Sequence, residues 1–208
     1  FYEAVEIFRR LGSSCEEFSL PLFEYAVPTY YIISFAESSS NLARYDGIKY
    51  GFRAENYSNI MDMYKKTRSI GFGSEVKRRI MLGTLMLSSG YYEAYYKKAL
   101  KVRTLIKEAY EKAFLKYDLL LTPTAPITAY RFEEISDDPM AIYLGNIYTV
   151  SANITGLPAL NIPGGFDSNG LPIGLQLIGK SYSESILFQT GYTFEQNTEF
   201  HLKKPNIK

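Results

Sequence analysis

Helical spacing of apolar residues dominates the first 117 residues of the chain, and short unbroken apolar runs dominate the rest. In YEAVEIFRRL (2–11), Ala4, Val5, Phe8 and Leu11 recur at three- and four-residue steps, and Gly12 stops the helix. CEEFSLP (15–21) predicts a short strand ended by Pro21. A long helix is predicted over 28–49, opening at Pro28 and Thr29, with another over 56–69. A further helix is predicted from Ser74, read as its N-cap, to Ser88. Over 91–117 the pattern is the most regular. Tyr95, Ala99, Val102, Ile106, Ala109, Ala113 and Tyr117 make one stripe, and most of the lysines and glutamates lie off it.

After Tyr117 the texture changes. YDLLLTPTAP predicts a buried strand over Leu119–Leu121. The stretch DDPMAIYLGNIYTVSANITGLPALNIPGGF predicts a short helix, a second apolar segment and a strand near Ala159–Ile162. Asn169–Gly170 marks a turn, and a strand follows over Gly174–Ile178. SYSESILFQTGYTFEQ predicts a closing helix. Helices before and after Val-, Ile- and Leu-rich strands define an α/β layered fold, with strands built for burial on both faces.

The turn GFGS runs into a helix that carries adjacent arginines, Arg78 and Arg79. With Val76 set at zero, Ile80 falls at roughly 40°, Gly83 at roughly −20° and Leu87 at roughly 20°. Arg79 falls at roughly −60°, on the border of that apolar face, and Arg78 at roughly 200°, on the far side. Arg79 is therefore the inward candidate. It snorkels along apolar surface or meets a structural carboxylate, or else it forks onto the carboxylate of a ligand.

Composition narrows the chemistry. The chain has 208 residues, 46% hydrophobic and 22% charged, which suits one soluble globular domain or a lobe of a larger one. A net charge of +1 gives no field to draw nucleic acid or an anionic membrane, so the lysines of 97–112 read as a solvated face. One cysteine, Cys15, excludes an internal disulfide and fits a reducing compartment. No apolar run approaches the length of a membrane span. His201 is the only histidine, so a metal site of nitrogen and sulfur ligands and a Ser-His-Asp triad both lack parts, and His201 itself reads as a surface residue. The serines of ESSSN (37–41) read as small residues that permit close helix approach, and no phosphate-loop pattern occurs.

Four stretches carry a resemblance: ESSSNLARYDGIKYG (37–51), GFGSEVKRRIMLGTLMLSSGYYEAYYKKALKVRTLIK (71–107), LLTPTAP (120–126) and ANITGLPALNIPGGFDSNGLPIGLQLIGK (152–180). On these the chain resembles the C-terminal part of the amidase signature family, and within it the A subunits of tRNA-dependent amidotransferases. The resemblance implies one domain over 1–208, the C-terminal portion of an amidase signature fold. That fold is a mixed β-sheet covered by helices, and its N-terminal half is absent here. It implies an enzyme that frees ammonia from glutamine, which a partner subunit uses to amidate misacylated tRNA. The family's chemistry uses a lysine and two serines in a Gly/Ser-rich signature. No such stretch occurs in these residues, so the chain alone is expected to be inactive, with no catalytic residue of its own.

The resemblance also implies where glutamine is held. Tyr30, in VPTYY, would wall or hydrogen-bond the substrate, and Arg79, in EVKRRI, would clamp its α-carboxylate. The family's aspartate for the α-ammonium is replaced by Asn146, in IYLGNIYT, an acceptor without charge. The implied partners are B and C subunits, with tRNA held mainly by the partner and ATP and Mg²⁺ only there. A cytoplasmic setting without membrane contact is implied as well. Another amidase signature hydrolase and a non-catalytic interaction module remain alternative readings.

Overall fold

The computed structural model describes residues 1–131, 133 and 139–205, with backbone alone over 139–141. The chain forms two compact units, one of residues 1–27 with 103–208 and one of residues 28–102.

The first unit holds a three-stranded antiparallel sheet in the order β1-β3-β2, made of β1 (Leu119–Pro123), β2 (Ala159–Phe166) and β3 (Pro172–Gly179). Alternation sorts its two faces, up to a register shift in β2 between Pro163 and Gly165. Leu121, Leu177 and Leu160 stand in register on one face, as do Leu175 and Ile162. Helices α1 (Tyr2–Arg10) and α8 (Glu184–Gln196) pack on that face, where Phe8 and Phe194 stack at 4.8 Å between ring centroids. Thr122, Gln176 and Asn161 stand in register on the opposite face. β3, the central strand, is buried without a break from Leu175 to Gly179, which agrees with burial on both faces. Asp167 closes the β2–β3 turn by accepting the backbone N–H groups of Asn169 and Leu171, both at 2.8 Å, and Gly170 takes the left-handed conformation there.

The second unit is helical: α2 (Ala26–Leu42), α3 (Ile60–Gly71) and α4 (Ser74–Leu87). Gly83 lets α4 press against α2, since a Cβ there would lie 1.9 Å from the Phe35 carbonyl oxygen. The hydroxyls of Ser39 and Thr84 meet at 2.9 Å beside it. α2 stops at Leu42, short of the predicted 49. Arg68 donates to the carbonyls of Leu42 and Tyr45, both at 3.0 Å, and Gly47 turns the chain with φ of 80°.

Other expectations shift for physical reasons. Residues 15–21 form no strand, because among the described residues no neighbouring backbone pairs with them in a ladder. Side chains hold this segment instead: Glu16 pairs with Lys116 and Phe18 packs on Tyr117. Gly73, not Ser74, caps α4. The helix expected over 91–117 opens as a π-helical turn, Tyr92–Lys97, before α5 (Lys98–Ala113). The wider turn displaces the upstream residues from a 3.6-residue stripe, and Tyr95 is exposed. The segment between β1 and β2 carries α6 (Pro139–Leu144) and α7 (Val150–Thr155). Asp137 and Asp138, which open the helix expected there, lie outside the described residues.

Candidate functional site

Arg79 sits in the first turns of α4, where Glu75 complements the positive end of the helix. The Glu75 carboxylate takes both arginines. Its Oε1 accepts from Arg79 Nε at 2.9 Å and its Oε2 from an Arg78 amino group at 3.0 Å. The Arg79 side chain is 34% exposed and that of Arg78 45%. Of the alternatives read from the sequence, the one observed is the structural carboxylate: Arg79 meets Glu75, on its own helix. Pairs this exposed contribute little to stability, about 0–1 kcal/mol. Their effect is to fix the rotamers of long side chains, and Glu75 was missed although its i+3 and i+4 spacing to the arginines is visible in the sequence.

Tyr30 belongs to the same helical unit, on α2. Its ring is half-buried and meets that of Tyr31 edge to face, with centroids 5.1 Å apart. A T-shaped pair of this kind orients both rings.

Asn146 belongs to the sheet unit, between α6 and α7, and is exposed. Its carbonyl accepts from the N–H groups of Thr149 (3.0 Å) and Val150 (3.1 Å) and from the Thr149 hydroxyl (3.2 Å). That ring of donors makes the turn from which α7 starts. α7 is anchored through Ser151, fully buried, whose Oγ lies 2.7 Å from the Tyr110 hydroxyl. Burial pushes the Tyr110 phenol above its ordinary pKa, against the opposing pull of the Ser151 hydrogen bond.

The sequence reading also missed the polar row on the sheet. Gln176 is 5% exposed and donates to Thr122 Oγ1 at 3.1 Å and to the Tyr148 carbonyl at 2.8 Å. Thr124 donates to Asn161 Oδ1 close by. The signal was available in the alternation of LLTPT and GLQLIG, where Thr and Gln occupy every second position among leucines.

Among the described residues, no three His, Cys, Asp or Glu side chains gather as a metal site needs, and no helix is long and apolar enough to cross a membrane. His201 is half-buried rather than a plain surface residue, in the single turn Phe200–Leu202, and its Nδ1 is shielded from solvent.

Sheet, helices and sequence together place the chain in a class: residues 1–188 match the family described as Amidase, and the chain belongs to it. Within that family its likeness is narrower. It is 57% identical over 204 residues to the A subunit of glutamyl-tRNA(Gln) amidotransferase from Moorella thermoacetica, covering 98% of this chain and 42% of that protein. It is 54% identical over 207 residues to the protein of that name from Trichodesmium erythraeum, covering 100% of this chain and 43% of that protein. The crystal structure of the corresponding protein from Thermotoga maritima superposes with a TM-score of 0.70 at 41% identity, over 95% of this chain and 38% of that one. The structure of 6-aminohexanoate cyclic dimer hydrolase, at 15% identity and a TM-score of 0.71, shares the fold. The chain thus spans less than half the length of the curated relatives it matches.

Proposed function

We propose that this chain is the glutamine-recognising part of a subunit that hydrolyses glutamine to glutamate and ammonia, the ammonia serving to amidate Glu-tRNA(Gln) or Asp-tRNA(Asn) on a partner. The observation that carries the reading is identity above 50%, along essentially the whole chain, to proteins named as this amidotransferase subunit. Arg79 supplies a planar fork for the α-carboxylate, Asn146 an acceptor for the α-ammonium, and Tyr30 a wall. The family's lysine and two serines, one of them the nucleophile for the side-chain amide, belong to a Gly/Ser-rich signature, and no such stretch occurs in these 208 residues. B and C subunits complete the assembly, and ATP, Mg²⁺ and most of the tRNA contact belong to the partner. The setting is the cytoplasm.

The test is glutaminase turnover by the full-length protein. A bidentate bond to a charged group contributes about 1.5–3 kcal/mol, so Arg79→Lys should lower kcat/KM by roughly one to two decades. Arg78→Lys should change it little. Asn146→Asp should lower KM for glutamine, because a charged acceptor holds ammonium more strongly than an amide does. Equal losses at Arg78 and Arg79 would remove the carboxylate clamp from this reading.

Asn146 itself favours a second reading, hydrolysis of an amide that lacks an α-ammonium. Faster turnover of such an amide than of glutamine would select it.

A further inference from the structure

We propose that Gln176 is the positioning residue for Asn146: its buried amide holds the 146–150 turn on the sheet and thereby sets the subsite for the amine end of the substrate. The proposal rests on the reading of Asn146 given above.

Gln176 lies in β3 on the face opposite Leu175 and Leu177, and is itself only 5% exposed. A primary amide in such surroundings costs free energy unless its polar atoms are paired. Its pairing is directional. The Tyr148 carbonyl can only accept, so the NH₂ side of the amide must face it, at 2.8 Å. The same nitrogen reaches Thr122 Oγ1 at 3.1 Å, its cross-strand neighbour. A side chain that is buried, central in the sheet and flanked by strands on both sides is a rigid mount.

What it mounts is the turn that carries Asn146. Tyr148 follows Asn146 by two residues, and the three donors to the Asn146 carbonyl close residues 146–150 into one unit. Phe23 stacks on the Tyr148 ring with centroids 6.1 Å apart, and Ser151 ties the start of α7 to Tyr110. Gln176 thus supplies the hydrogen bond from the sheet to the turn. A hydrophobic residue of the same size would fill the space and leave the Tyr148 carbonyl without that donor. The turn could then shift by the small distance that spoils a side-chain hydrogen bond to ligand while the core stays packed.

The experiment uses the full-length protein with glutamine as substrate, reading KM and kcat separately with thermal unfolding alongside. Gln176→Met and Gln176→Leu keep the bulk and remove the donor. Each should raise KM by roughly three- to tenfold and leave kcat within about twofold, the pattern of lost uniform binding. Asn146→Ala should raise KM, and the double variant Asn146→Ala/Gln176→Met should be no worse than Asn146→Ala alone, because both changes act through one contact. Thr122→Val, which removes only the other acceptor, should leave KM within about twofold. Additive effects in the double variant would overturn the proposal. So would a fall in kcat with KM unchanged, or failure of both Gln176 variants to fold, since each makes the amide a prop of the fold at large. An unchanged KM in Asn146→Ala would strike at the reading of Asn146 itself and take the proposal with it. An effect of Asn146→Ala without one of Gln176→Met would overturn the proposal alone.

Discussion

Tyr110 and Ser151 show how a single contact ties stability to pH. Both are buried, and their hydroxyls meet at 2.7 Å. Because burial raises the pKa of the folded phenol, the folded chain keeps a proton that the unfolded chain releases. The stabilisation is complete below the ordinary tyrosine value of about 10 and drains away as the pH rises through the higher folded value. Tyr110→Phe should flatten the alkaline limb of a stability-against-pH curve. At neutral pH it should cost about 1–3 kcal/mol for leaving Ser151 without that partner, read by urea unfolding. An alkaline limb of unchanged slope would show that Tyr110 does not govern it. Glu75 acts differently, since its pairs with Arg78 and Arg79 are partly open to solvent. Its removal should matter little for folding and should reach function only through the aim of Arg79.

Two elements depend on backbone approach or backbone donors. α2 and α4 touch where Gly83 faces the Phe35 carbonyl, and an added methyl has no space: its carbon would also lie 2.7 Å from Ser39 Cβ. Gly83→Ala should force the helices apart at a cost of about 1–3 kcal/mol, seen as a fall of several degrees in Tm. Gly90→Ala, where nothing lies within 4 Å, is the control and should be close to neutral. The β2–β3 turn hangs on Asp167, whose carboxyl is held below its ordinary pKa first by the Leu171 N–H and then by the Thr128 hydroxyl. A lowered folded value means stabilisation that is full above the ordinary aspartate pKa, about 4, and lost as the pH falls through the folded one. Acid unfolding should therefore begin at higher pH in Asp167→Asn than in a neutral control such as Gly90→Ala. Coincident acid transitions would assign the turn to its backbone bonds alone.

At the scale of the molecule, several large apolar side chains stand in water: Met81 at 72%, Ile70 at 67%, Ile127 at 66% and Leu115 at 88% exposed. The 208-residue polypeptide by itself should self-associate or unfold at low temperature, as sedimentation and calorimetry would show. A monodisperse monomer with a cooperative transition at high temperature would contradict this. The same polypeptide should release no ammonia from glutamine above a heat-killed control, since it contains no Gly/Ser-rich signature. Turnover there would move the catalytic residues into these 208 positions.

Helical spacing and short apolar runs showed where most helices and strands lie, because the pattern of apolar residues follows from which faces are buried. They located α1, the three strands and α8, the Asn-Gly pair located the 169–170 turn, and the motifs carried the resemblance to the family. Ends and irregularities were decided by contacts remote in the chain. α2 stops where Arg68 reaches back to Leu42, and residues 15–21 join no sheet ladder because strand identity needs a neighbour. The π-helical turn before α5 breaks a stripe that looked continuous. At the candidate site, helix rotation singled out Arg79, and motif matching chose Arg79, Tyr30 and Asn146. The supports escaped: Glu75 beneath the arginines, and Gln176, on a later strand, beneath the turn of Asn146. A side chain that acts by holding another leaves only its polarity in the sequence, and which carbonyl that polarity meets is settled by the register of three strands and the turn packed on them.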